Sequence, residues 1–151
     1  MPPILKCEIF YKNLHRDLIF IMGDASGRIL VADDEPALLK MMSVYLRRFG
    51  YDVTTATTTE EARSEFEAAP ESFAGAVLDA TMAGLSMEDL ALRILNANPD
   101  LFVIAASGYP LDMTAIESAA PGRVMFLHKP FAPEMLVHAV RRMLAAQKEK
   151  L

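Results

Sequence analysis

Residues 28–36 read Arg28-Ile29-Leu30-Val31-Ala32-Asp33-Asp34-Glu35-Pro36. The aliphatic run from Ile29 to Ala32 has no polar alternation, which describes a strand covered on both faces rather than one with a wet side. Two carboxylates follow at once. Pro36, favoured at the first turn of a helix, then opens a segment in which Leu38, Leu39, Met42, Leu46 and Phe49 recur at helical spacing. A buried strand that hands acidic residues to a helix start is one β–α unit.

The same alternation continues outward from it. Gly50 stops the first helix, as glycine does just past a helix end. Tyr51–Thr55 is a more polar second strand, and Thr59–Ala69 a helix with a capping box built from Thr58 or Thr59 and Glu61, ending before Pro70. Ala74–Asp79 and Ser86–Asn98 form a third pair, and Leu101–Ala106 and Leu111–Ala120 a fourth, closed by Pro121-Gly122. Val124–His128 and Pro133–Lys148 complete a fifth. The last helix carries its core face on Leu136, Val137, Val140 and Leu144, with Gln147-Lys148-Glu149-Lys150 as a frayed polar end. Five such units specify an α/β fold, a doubly wound parallel sheet with helices on both faces, because right-handed crossovers leave few other topologies.

The 151 residues suit one domain, and 52% hydrophobic with 23% charged side chains is ordinary for a globular chain rather than a disordered or membrane-embedded one. A net charge of −5 weighs against a nucleic-acid backbone as partner. Arg47-Arg48 and Arg141-Arg142 read as solvated helix faces. Cys7 is the only cysteine, so no intramolecular disulfide can form, which suits a reducing compartment. A bilayer span needs about 20 apolar residues, and Leu18–Met22 falls far short of it. The expectation is a cytoplasmic protein with no membrane partner. Residues 1–27 stand outside the repeat as an N-terminal extension of unassigned role. Ile4, Ile9, Phe10, Leu14, Leu18 and Ile21 have rough helical spacing, and a helix and a loosely held tail are equally compatible with it.

In open parallel sheets ligands bind beyond the carboxyl ends of the strands, where the strand order reverses. Strand one ends in Asp33-Asp34, strand three in Asp79, strand four in Ser107 and strand five in Lys129, whereas strand two ends in Thr54-Thr55. In the order 2-1-3-4-5 the four equipped strands are contiguous and the bare one lies at the edge. Each residue also has a bland role: Asp33-Asp34 as a helix cap, Asp79 and Ser107-Gly108-Tyr109-Pro110 as turn residues, Lys129 as an exposed loop lysine. Their coincidence at one sheet edge favours chemistry. Crowded carboxylates repel one another, by about 4 kcal/mol per pair at 4 Å and an effective dielectric of 20. A hard divalent cation offsets that repulsion, and Mg²⁺ suits one or two carboxylates with water and phosphate oxygens. An ammonium and a hydroxyl nearby complete what a carboxylate nucleophile needs to form an acyl phosphate.

The motifs Ile29–Pro36, Val77-Leu78-Asp79-Ala80-Thr81-Met82-Ala83-Gly84, Ala105-Ala106-Ser107-Gly108 and Phe126-Leu127-His128-Lys129-Pro130-Phe131 together resemble the receiver domains of two-component response regulators, of the stand-alone chemotaxis-regulator-like type. The resemblance spans about residues 28–148. It implies a flavodoxin-like (βα)5 sheet of order 2-1-3-4-5; such a receiver is itself a standard example of that order, so the agreement is not independent. It implies Asp79 as phosphoacceptor and Mg²⁺ (or Mn²⁺) held by Asp34 directly, by Asp33 mostly through water, by Asp79 and by the backbone carbonyl of Thr81. Ser107 and Phe126 are then the switch pair, Lys129 the phosphate-pairing lysine, and the Lys129–Pro130 bond cis. Thr81 and Tyr109 stand where relatives tune phosphoryl lifetime. Two departures stand out: Ala83 where the family often has proline, which leaves the loop after Asp79 less rigid, and Phe126 where tyrosine is common.

The resemblance also implies the partners. A histidine kinase or histidine phosphotransfer protein donates the phosphoryl group, docking on first-helix residues such as Leu38 and Met41. An unidentified downstream protein reads a conformational change in the fourth helix, fifth strand and fifth helix, since no output domain follows the last helix. The chain is a monomer or a phosphorylation-promoted dimer, and not an enzyme beyond its own phosphorylation and dephosphorylation. Three rivals exist. A haloacid-dehalogenase-type phosphatase wants an acid two residues after the nucleophile, where Thr81 stands; a flavin site is disfavoured by the acidic loop after strand one. The third is a phosphorylation-independent binding module, which would bind its partner equally well after Asp79→Asn.

Overall fold

The computed structural model describes residues 27–149. The expectations for the N-terminal extension therefore lie outside the described residues, Gly27 excepted. Five strands, β1 (Arg28–Ala32), β2 (Asp52–Ala56), β3 (Phe73–Asp79), β4 (Phe102–Ser107) and β5 (Val124–His128), alternate with five helices. These are α1 (Pro36–Arg48), α2 (Thr59–Ala68), α3 (Met87–Ala97), α4 (Thr114–Ala119) and α5 (Pro133–Lys148), with a short 3₁₀ turn at Pro70–Ser72. The strands form one parallel sheet in the order β2-β1-β3-β4-β5. The doubly wound, flavodoxin-like fold expected from the sequence is the one observed.

The aliphatic strands alternate between two cores. Leu30, Ala76, Leu78, Val103 and Ala105 face α2, α3 and α4, joined by Phe66, Leu90, Ile94 and Ile116. Ile29, Val31, Val77, Phe102 and Ile104 face α1 and α5, joined by Met42, Leu46, Leu136 and Val140. A sheet buried on both sides explains why these strands lack polar alternation. The end of α1 follows from Gly50, whose φ of +89° suits only glycine comfortably. Its amide donates to Arg47 O and that of Tyr51 to Leu46 O, the paired bonds of a Schellman ending.

Several expectations are corrected. At α2, Thr58 Oγ1 does accept from the Glu61 amide, but the Glu61 carboxylate turns to the amide and hydroxyl of Thr57 instead of returning to the cap residue, so the box is not closed. α4 begins only at Thr114, because Asp112 takes the Thr114 amide in a local turn that competes with helix. Gln147 is buried rather than frayed, its side-chain amide donating to Gly122 O at 3.4 Å across the α4–β5 turn. Leu38 and Met41 are half-buried, packed in part against the α1–α5 core and in part open at the surface. Arg123 holds the C-terminal carbonyls of α3, donating to Leu95 O and Asn98 O and also to Leu101 O. Those carbonyls have no partner within the helix, and Arg123 supplies one.

Candidate phosphoryl-transfer site

The sheet register builds the site. Ala32 pairs with Leu78, so the next residues, Asp33 and Asp79, emerge side by side. Asp79 itself pairs with Ala106, and Ser107 with His128. Ser107 and then Lys129 thus lie progressively further past the carboxylates, and the long stem of Lys129 reaches back to them.

One carboxylate oxygen from each of Asp33, Asp34 and Asp79 lies within 4.8 Å of the other two. Asp33 and Asp79 are almost wholly buried, at 1% and 2% exposure, and Asp34 is exposed. Lys129 Nζ bridges the buried pair, 2.7 Å from Asp33 Oδ2 and 3.3 Å from Asp79 Oδ1. Burial, the largest influence on this ammonium, works against its charge. The Asp33 hydrogen bond and charge, with the Asp79 charge and hydrogen bond, outweigh it and hold the Lys129 pKa above its ordinary 10.5.

The oxygens are unequally used. Asp33 Oδ1 accepts from the Glu35 amide at 2.9 Å and Oδ2 from Lys129, so both are engaged within the chain. This carboxylate ties down the loop ahead of α1; it does not cap the helix, whose N-cap is Glu35 and has no side-chain bond. On Asp79, Oδ1 accepts from the Thr81 amide and hydroxyl, at 3.1 and 3.0 Å, and also faces Lys129. Asp79 Oδ2 accepts no hydrogen bond among the described residues.

Three carboxylates against one ammonium leave the pocket two charges negative, offered entirely through oxygen. That donor set fits a hard divalent cation such as Mg²⁺. Ser107 is fully buried, but its hydroxyl accepts from the Tyr109 amide at 3.0 Å and makes no hydrogen bond to Asp79 or Lys129. Its carbonyl accepts from the Lys129 amide at 2.8 Å, tying the end of β4 to the loop after β5. Phe126 is half-buried on β5, opposite Ala105, and its ring meets His128 edge-on. The Lys129–Pro130 bond is cis, as expected. The structure thus gathers Asp33, Asp34, Asp79, Thr81 and Lys129, and leaves the Ser107 hydroxyl and Phe126 outside the cluster.

Two contacts to the loop after Asp79 were not foreseen. Thr59 Oγ1 lies 3.2 Å from Ala83 O, and Glu60 Oε1 accepts from the Leu85 amide at 3.1 Å. Nothing in the sequence links α2 to a loop some 25 residues later; only the fold brings them together.

Residues 29–141 match the family profile of the response regulator receiver domain. The DNA-binding transcriptional regulator NtrC of Rhizobium meliloti is 34% identical over 122 residues, a match covering 81% of this chain and 25% of that protein. The chain spans about a quarter of the length of this curated relative. Among solved structures, a response regulator receiver domain protein from Clostridium thermocellum superposes with a TM-score of 0.71 at 25% identity, covering 83% of this chain and 99% of that one. The response regulator TrrA from Thermotoga maritima, solved in complex with Mg²⁺ and a beryllium fluoride, gives a TM-score of 0.66 at 28% identity, covering 78% and 98%. Among the described residues no helix is long and apolar enough to cross a membrane.

Proposed function

Because the chain belongs to the response regulator receiver domain family, we propose that it is a phosphorylation switch in which Asp79 accepts a phosphoryl group from a histidine kinase or a histidine phosphotransfer protein. The observation that carries this is the convergence of Asp33, Asp34 and Asp79 within 4.8 Å, with Lys129 bridging the two buried members. Asp79 Oδ2 is the attacking oxygen, since three donors already occupy Oδ1. The Asp79 O–P bond forms as the P–N bond of the phosphohistidine breaks, and the electron pair leaves with the imidazole. Lys129 balances charge on the equatorial phosphoryl oxygens, a task of electrostatics and positioning.

Asp34, Asp79 and the Thr81 carbonyl would hold Mg²⁺. Asp33 would act through water, a division supported by its two engaged oxygens and by the exposure of Asp34. When bound, the ion supplies positive charge to the phosphoryl oxygens and offsets the carboxylate repulsion.

The product adds about 1.5 to 2 negative charges where Asp79 stood. Ser107 then exchanges the Tyr109 amide for a phosphoryl oxygen, and Phe126, on the neighbouring strand, turns into the space released. Lys129 follows the phosphoryl group, and the hydrogen bond its backbone N–H donates to Ser107 O carries the displacement to β5 and α5. The α4–β5–α5 face is accordingly the output surface, biased between two preexisting arrangements. DNA binding is named for the longer relatives; for this chain the partner proposed is a protein that reads that face. Acetyl phosphate with Mg²⁺, followed by intact mass, tests the proposal: wild type gains one hydroxylamine-labile phosphoryl group and Asp79→Asn none. Equal labelling of both would overturn it.

A further inference from the structure

Residues 80–85 are fastened at both ends. At the start, Thr81 gives its amide and hydroxyl to Asp79 Oδ1. At the far end the first turn of α2 holds them. The buried Thr59 offers one hydroxyl hydrogen, shared between Ala83 O and Glu60 Oε2, both at 3.2 Å. Glu60 Oε1 takes the Leu85 amide at 3.1 Å. Gly84 sits inside this grip with φ of +109°, and a Cβ there would overlap the Glu60 carboxylate and the Thr59 hydroxyl. The fit is close enough to fix the loop and not merely to brush it. The Glu60 carboxyl is held below its usual range by its own amide first and then by that of Leu85, so the acceptor is fully charged at neutral pH.

Residue 83 is alanine, so no pyrrolidine ring limits φ in this segment. The restraint has to come from elsewhere, and the two α2 contacts fall on residue 83 itself and on Leu85 two residues later. We infer that Thr59 and Glu60 are positioning residues, which hold the 80–85 segment in place and through it fix Thr81 against Asp79. This rests on Asp79 being the phosphoacceptor and extends the site to a helix whose described residues make no hydrogen bond or ion pair to Asp33, Asp79 or Lys129. Loosening the grip leaves Thr81 free to drift, which weakens cation binding and alters the lifetime of the acyl phosphate, while the carboxylates and Lys129 stay unchanged.

The test compares wild type, Glu60→Ala, Glu60→Gln, Ala83→Pro and the double variant Glu60→Ala/Ala83→Pro, each first shown to be folded by circular dichroism. Losing one charged hydrogen bond makes the Leu85 amide of metal-free Glu60→Ala exchange roughly 10-fold faster. Supporting partners of a metal site change affinity by about 10- to 100-fold, and this more distant one should weaken Mg²⁺ binding, read by calorimetry, by about 3- to 10-fold. Glu60→Gln keeps an acceptor for Leu85 and stays near wild type. Ala83→Pro alone changes little, yet in the Glu60→Ala background it returns Mg²⁺ affinity to within about twofold of wild type, a non-additivity expected of two devices doing one job.

Unchanged Leu85 exchange in Glu60→Ala would overturn the inference. So would lost Leu85 protection with unaltered Mg²⁺ affinity, or failure of Ala83→Pro to rescue. If wild type takes no label from acetyl phosphate, the phosphoacceptor assignment fails separately, and the exchange and calorimetric results still decide the role of Glu60.

Discussion

Replacing Lys129 by methionine keeps the reach of the side chain and removes its charge. The ammonium lies 2.7 Å from Asp33 Oδ2 and 3.3 Å from Asp79 Oδ1. At an effective dielectric of 20 these attractions are about 6 and 5 kcal/mol before desolvation is counted. Most of that gross figure is offset, because the ammonium no longer has to leave water. What persists is the cost of two buried carboxylates without a cation, and breaking a buried pair from one side costs about 3–5 kcal/mol. The Lys129 side chain is 19% exposed, so water relaxes the site somewhat and the lower figure, about 3 kcal/mol, applies. Urea unfolding followed by circular dichroism at pH 7 in EDTA should show this loss, and thermal unfolding under the same conditions a fall of about 10 °C in Tm. Saturating Mg²⁺ should narrow the gap, since a bound cation stabilises the folded state and takes over part of the neutralisation. Equal unfolding midpoints without metal would refute the premise that Lys129 compensates the acidic cluster.

Asp34→Asn removes the exposed carboxylate without disturbing the Lys129 bridge; Mg²⁺ affinity by calorimetry should fall by about tenfold or more, with metal-free stability no lower than wild type. Gly75→Ala puts a Cβ 2.6 Å from two ring carbons of the fully buried Phe102, and overpacking should cost about 1–3 kcal/mol in urea unfolding. The Glu60 carboxyl has a depressed folded pKa, so its contribution is present above the ordinary value of 4.5 and is lost as pH falls through the folded value. Protection of the Leu85 amide, corrected for intrinsic exchange, should hold from pH 7 to 4.5 and decline only below.

The strands and the chemistry at their ends were legible because both depend on local pattern. Ile29–Ala32 and Phe102–Ala106 are continuously aliphatic or aromatic as two-sided burial demands, and a carboxylate, hydroxyl or lysine stands at the end of each equipped strand or directly after it. What escaped notice depends on partners distant in sequence or on competition between local bonds. Asp33 could cap α1 or turn to the Glu35 amide; it does the latter, with Lys129, far away in sequence, on its other oxygen. Gln147 looks like a polar tail until the α4–β5 turn comes to rest on it. Arg123 follows a Pro-Gly turn with nothing to mark it as the residue that satisfies α3 carbonyls. The grip of Thr59 and Glu60 on the loop after Asp79 belongs to the same class: it exists only because the sheet order sets α2 beside that loop.

Borohydride reduction converts an aspartyl phosphate to homoserine at the residue that carried it, so peptide mass mapping after acetyl phosphate and Mg²⁺ treatment locates the acceptor itself. Homoserine at position 79, absent when Mg²⁺ is chelated, is the predicted result. Homoserine at 33 or 34, or none at any position while the protein remains folded, would contradict the assignment of Asp79.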